Sequence, residues 1–254
     1  MFGYFRNRRR QRLRDEPLPA SWWAVIDRRV PLVAKMPDAD RQELGGHVRV
    51  LLHEKSFEGC AGLEITDEIR LTIAAHAAVL LLHRDTGYYP TLRTILVYPS
   101  AYVANHKQQM PDGTIVEGDQ VRLGESWHRG ALVLAWDDVV QSAGNPGDGH
   151  NVTLHEFAHQ LDGQATGMDG APSLPSAARY REWARVLGGE YEQLVQTVHA
   201  GHRTLLDAYG ATSPPEFFAV ATEAFFEQPE ALKREHAELY DELAGFYQQD
   251  PAGR

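Results

Sequence analysis

Residues 150–163 read HNVTLHEFAHQLDG, and the fold turns on what His155 and His159 do there. On an α-helix, residues four apart lie nearly above one another. Both imidazoles would then project side by side and reach one ion. Glu156 is rotated about 100° from His155 at 3.6 residues per turn, which puts its carboxylate beside such an ion rather than on it. The set is two neutral imidazole ligands and one free base close to a metal-activated water. With 12 histidines in the chain, H-E-x-x-H arises by chance at a rate on the order of a few per cent, so context has to decide. Leu154, Phe157, Ala158 and Leu161 make the segment a buried helix. Burying two imidazoles and a carboxylate without a partner charge is costly, and a metal ion removes that cost.

A third ligand has to come from elsewhere. The spacing H-E-x-x-H-x-x-G-x-x-H fails, because Asp162 stands at the glycine position and Ala165 at the third histidine. The best stretch is YGATSPPEFFAVATEAFFEQPE (209–230). Ser213 reads as an N-cap, Pro214 as a first-turn proline, and Glu216 stands three after the cap. Glu216, Glu223 and Glu227 share one face of an otherwise apolar helix, which is odd unless that face meets a cation. A capping-box glutamate bonding the Ser213 backbone is the structural alternative for Glu216. Spacing alone does not rank Glu216 over Glu223.

Composition narrows the class. The chain has 254 residues, 43% hydrophobic and 24% charged, which suits a globular protein with a sizeable core. Cys60 is the only cysteine, so no internal disulfide and no cysteine zinc site can form, and a cytoplasmic setting is expected. IAAHAAVLLLH (73–83) is too short to span a bilayer, and no membrane partner is expected. Residues 1–16 carry six arginines against Asp15 and Glu16, a net +4 that leaves −14 on the rest of a chain totalling −10. So acidic a body argues against direct nucleic-acid binding.

Periodicity supplies the order of elements. Helices are expected over 21–35, from about Asp38 or Asp40 with DRQE (40–43) as a capping box, and from Thr66 to about Arg84. His76 and His83 lie on the last of these and read as core or boundary histidines. TILVYP (94–99), TIVEG (114–118) and GALVLAW (130–136) read as strands, with a turn at PDG (111–113). Helical character returns after the NPGDG loop (145–149). Helices, a few strands, then helices indicate an α+β fold, mostly helical, with a small mixed sheet. Residues 1–18 are expected as a flexible basic arm and 19–250 as one domain. That domain comprises N-terminal helices (19–90), the sheet (91–140) and the candidate catalytic helices (150–248).

HNVTLHEFAHQLDG, AYGATSPPEFFAVATEAFFEQPE and FYQQDP, with ILVYPSAYV and GESWHRGALVLAW, resemble the Mlc titration factor A family of bacterial zinc peptidases. The likeness runs from about residue 20 to 250. The catalytic half is also similar to the anthrax lethal factor protease domain, which carries a Tyr-Gly segment ahead of a Glu-Phe-Phe-Ala run. The resemblance implies a zincin-like core with one zinc ion per chain, held by His155, His159 and Glu216. It implies Glu156 as general base, Tyr209 as the family's tyrosine seven residues before the ligand glutamate, and supporting roles for Asp162 and Glu223. The implied activity is aminopeptidase-like hydrolysis of a peptide or protein substrate. The implied partner is the glucose-responsive repressor Mlc or an equivalent. The alternative is a non-catalytic protein that sequesters a repressor and keeps a structural zinc.

Overall fold

Pro31 divides the first expected helix. Proline lacks the N–H that would continue the ladder, so α2 (Ala20–Arg29) ends at Val30 and a one-turn α3 (Pro31–Ala34) follows. The computed structural model describes residues 2–100, 103–109, 115–121, 130–164 and 167–253. The expected turn at 111–113 lies outside them.

The basic segment expected as a flexible arm is a helix, α1 (Phe2–Asp15). It is docked on α4 (Asp38–Glu54), where Arg10 is buried and donates to both carboxylate oxygens of Glu54 at 2.7 Å. This bidentate pair links residues 44 apart, so no local pattern announces it. The expected capping box at 40–43 does not form either. α4 begins at Asp38, the first of the two expected starts, with Pro37 at its N-cap; Glu43 accepts from the His83 backbone N–H at 2.9 Å and meets His47 at 3.2 Å.

A short strand β1 (Ser56–Gly59) leads into α5 (Asp67–Val79), whose N-cap Thr66 accepts from the Ile69 N–H. α5 stops at Val79, short of the expected Arg84, and His83 lies beyond it at φ 61°. β2 (Thr94–Tyr98) and β5 (Ala131–Ala135) complete a parallel sheet of order β1-β2-β5, with Ser56 opposite Thr94 and Thr94 opposite Ala131. Parallel neighbours need long crossovers. α5 lies within the first. The second contains a separate antiparallel pair, β3 (Val103–Gln109) and β4 (Ile115–Val121). Among the described residues the fold is α+β and mostly helical, as expected.

Among the described residues six α-helices follow the sheet: α6 (Trp136–Gly144), α7 (Val152–Asp162), α8 (Ala177–His199), α9 (Pro214–Glu227), α10 (Pro229–Glu235) and α11 (Ala237–Tyr247). α7 packs between α9, α5 and β5. Behind α9 lies an aromatic layer, in which Phe218 meets Trp183 at 5.6 Å and Phe225 stacks on Tyr247 at 5.7 Å. The FYQQDP segment closes this layer. Tyr247 shares a 2.8 Å hydrogen bond with Thr222, and Gln249 donates to the Val79 carbonyl at 2.8 Å. The back of α9 is thereby held rigidly, and its glutamates face α7.

Gly170 joins three of these elements. Its N–H donates to Asp162 at 2.9 Å and its carbonyl accepts from the Trp183 indole at 2.8 Å. Its φ is +80°, and a Cβ there would stand 2.6 Å from the Pro214 carbonyl oxygen, at the start of α9. Gly170→Ala therefore combines left-handed backbone with a backbone clash, and is expected to cost about 1–3 kcal/mol. Urea unfolding measures this; a midpoint equal to that of the wild type would show that the loop yields freely.

Candidate metal centre

Both site helices are started by caps that the sequence supplies. Asn151 caps α7, its side-chain oxygen accepting from the Leu154 N–H at 3.1 Å. Ser213 caps α9, accepting from the Glu216 N–H at 3.5 Å, with Pro214 and Pro215 in the first turn. The cap places Glu216 at the mouth of α9, opposite the middle of α7. Its side chain does not serve a capping box: Oε2 lies 3.0 Å from His155 Nε2 and 3.2 Å from His159 Nε2. The two Nε2 atoms are 3.2 Å apart.

These donors fit a divalent ion. One ligand atom from each of His155, His159 and Glu216 falls within 4.8 Å of the others. Ligands about 2.0–2.1 Å from a tetrahedral centre lie roughly 3.3–3.5 Å from one another, close to the separations found. The surrounding charge favours a cation as well. Burial opposes a charge on His155, but its hydrogen bonds to the Glu216 and Glu223 carboxylates outweigh it and lift the imidazole to about 10. Burial also opposes a charge on Glu216, and its bonds to His155 and His159 overcome it, bringing the carboxyl down to about 2. His159 is pushed down by burial, its bond to Glu216 opposing this and the neighbouring His155 adding to it. The protein thus stabilises positive charge where the three donors converge, and there a metal would displace a proton.

Glu223 lies one layer behind. Its Oε1 is 2.7 Å from His155 Nδ1, while Oε2 accepts from the Asn151 N–H at 2.5 Å and lies 3.2 Å from His150 Nδ1. It orients the ring that presents Nε2 to the centre, as carboxylates behind metal-binding histidines do. Glu227 continues the row, accepting from the Asn151 side-chain amide at 2.9 Å and from the Gly147 N–H at 3.1 Å. The shared face read from the sequence is thus a row of three carboxylates, each with its own partner on or before α7. Sequence reasoning passed over Asn151 and the bond from Glu227 to Gly147. An asparagine directly before an apolar helix was the available signal for the first; the second depends on how two distant segments meet.

The remaining expected residues divide. Glu156 is buried, and its Oε2 has no hydrogen-bond partner among the described residues. Burial pushes its carboxyl up to about 8, His155 opposing and Glu216 and Glu223 adding. Tyr209 sits on a 3₁₀ turn (Ala208–Ala211) started by Asp207, whose carboxylate accepts from the Tyr209 N–H at 2.8 Å. Its ring is 6.1 Å from that of His155 and 55% exposed, which suits a group that meets solvent or a ligand. Asp162 accepts from the Gly170 N–H at 2.9 Å, so it holds the following loop instead of an imidazole. β5 lies at one end of the sheet order, and its side chains from Leu132 to Ala135 are buried.

Comparison with known proteins is consistent in direction. A family model described as glucose-regulated metallo-peptidase M90 matches residues 5–248. An uncharacterized protein of Synechocystis sp. is 42% identical over 245 residues, which is 96% of this chain and 89% of that protein. Mlc titration factor A of Serratia proteamaculans is 32% identical, over 89% of this chain and 86% of its own length. Mlc titration factor A of Yersinia pestis is 30% identical, over 92% of this chain and 86% of its own.

Proposed function

This chain belongs to the glucose-regulated metallo-peptidase M90 family, and from that premise we propose that it is a zinc-dependent, aminopeptidase-like peptidase. The observation that carries the reading is the Glu216 carboxylate between the His155 and His159 Nε2 atoms. Two imidazoles and a carboxylate are a common zinc donor set in hydrolytic sites. His155, His159 and Glu216 would hold one zinc ion per chain. When bound, it supplies Lewis acidity, lowering the pKa of a water towards ~7 and polarising the scissile carbonyl.

The chain's own groups do the rest. Glu156 takes the proton of the attacking water on its carboxylate and returns it to the leaving amine. Its buried setting favours the protonated form between the two transfers. The Tyr209 hydroxyl, at the exposed edge of the site, donates to the oxygen on which negative charge develops. Glu223 keeps the His155 ring aligned, and Asp162 holds the 163–170 loop against α7 and α9. An extended peptide substrate would lie beside β5, the strand at the end of the sheet order nearest α7.

A peptidase assay on small aminoacyl substrates tests this. Activity is expected to vanish with a chelator and return on adding zinc. Hydrolysis that is indifferent to chelation would overturn the proposal. Persistent absence of hydrolysis in the zinc-loaded protein would favour the non-catalytic alternative with a structural zinc.

The name of the Serratia and Yersinia relatives supports a second role, binding of the repressor Mlc or an equivalent in the cytoplasm. The single cysteine, Cys60, is compatible with that compartment. Capture of such a repressor by the Glu156→Gln protein would separate binding from chemistry.

A further inference from the structure

Helix α1 carries a surface that the peptidase reading leaves unused. Its C-terminal half is docked: Arg10 pairs with Glu54, donates to the Gly87 carbonyl at 3.0 Å and lies 4.7 Å over the Tyr88 ring. Glu54 is the last residue of α4, and Arg14 lies against Gly46, farther back along it. The two helices therefore run antiparallel, and residues before Arg9 extend past the end of α4. Residues 3–9 are all exposed. At 1.5 Å per residue, the six residues 3–8 overhang by roughly 9 Å.

Two of the four large exposed hydrophobic side chains among the described residues stand on this overhang. Tyr4 is 68% and Phe5 61% exposed, their rings in edge contact at 5.8 Å. By helical spacing they share the outward face with Arg8 and Arg12, opposite Arg10 and Leu13. Among the described residues, Arg8, Arg9 and Arg12 make no ion pair with a carboxylate. Arg8 and Arg12 repel at i, i+4 spacing, and α1 has no acidic residue in its first turn. The helix holds uncompensated positive charge beside bare aromatic rings.

One kind of surface relieves both. Guanidinium groups pair with phosphates, and Tyr and Phe rings settle at the boundary between headgroups and acyl chains. We infer that the outward face of α1 docks the protein reversibly on an anionic phospholipid surface. This revises the expectation of no membrane partner. The contact is peripheral, since no described helix is long and apolar enough to cross a membrane. A nucleic-acid duplex fits less well. It would follow the arginines onto a body carrying −14 and leave the rings unused, whereas a bilayer need touch only the overhang.

Each arginine near such a surface contributes roughly five-fold to partitioning, so the binding is salt-sensitive. The test is sedimentation of the full chain with vesicles of phosphatidylglycerol and phosphatidylcholine in equal parts, beside vesicles of phosphatidylcholine alone. The wild type is expected to sediment with the mixed vesicles only, and to be released by added salt. Arg8→Glu/Arg12→Glu should lower partitioning roughly 25-fold or more. Tyr4→Ser/Phe5→Ser should lower it several-fold and leave the salt dependence. Both pairs are exposed, so unchanged circular dichroism and peptidase activity are expected and serve as the folding control. Equal sedimentation with the two vesicle types, or none, would overturn the inference. So would duplex DNA binding that needs the arginines but not the rings, or a dimer lost in both variants, either of which would assign the face to another occupant.

Discussion

Glu156→Gln is expected to lower turnover by a factor on the order of 10²–10⁴, with zinc remaining near one per chain. The amide matches the carboxylate in size and shape, so the packing around this buried side chain survives. What it loses is the ability to take a proton from water and hand it on. Neither Nε2 atom nor Glu216 is touched by the change, so the three converging donors keep their spacing. The fold should not suffer. A buried carboxylate with an oxygen lacking a hydrogen-bond partner among the described residues costs desolvation energy, and a neutral amide costs less. Turnover and metal content, measured on the same preparation, check this. Full activity with bound zinc would end the role of Glu156 as base; lost zinc would mean that it belongs among the ligands.

Glu216→Ala should strip the metal. It removes the only carboxylate among the three donors and leaves two imidazoles 3.2 Å apart, with no negative charge between them. The contrast is with Glu223→Gln, which leaves all three donors and removes only the charge behind His155. Losing such a supporting carboxylate is expected to weaken zinc binding about 10–100-fold, and losing Glu216 should weaken it well beyond that. Competition with a chromogenic chelator ranks the two. If Glu216→Ala keeps stoichiometric zinc and Glu223→Gln does not, the ligand assignment passes to Glu223.

How much of this was legible depended on whether the deciding interactions were local. The caps were: Ser213 and Thr66 stand where their helices start, and each accepts the backbone N–H three residues on. The histidine pair was local too, since four-residue spacing on a helix needs no tertiary information. The shared face of Glu216, Glu223 and Glu227 followed from the same periodicity. Which glutamate lies between the imidazoles did not, because that depends on how α9 crosses α7, 57 residues apart in sequence between His159 and Glu216. The resemblance supplied the choice that spacing left open.

Pro31 broke the first expected helix locally, whereas three other misreadings share a different physical cause. β1 is SFEG, too short and polar to show alternation, and it is a strand because it pairs with β2. Residues 2–15 lack an apolar stripe, and their helix is docked through Arg10 and Glu54 rather than through a hydrophobic face. Glu43 had the spacing of a capping box, yet the His83 N–H, 40 residues on, donates to its carboxylate. In each case a distant partner overrode a local preference.

The whole account rests on one ion held by His155, His159 and Glu216. The most direct measurement is zinc per chain by mass spectrometry on dialysed wild type beside His155→Ala. The prediction is close to one zinc in the wild type and almost none in the variant. Equal zinc in both proteins, or none in a wild type purified with zinc present, would contradict it.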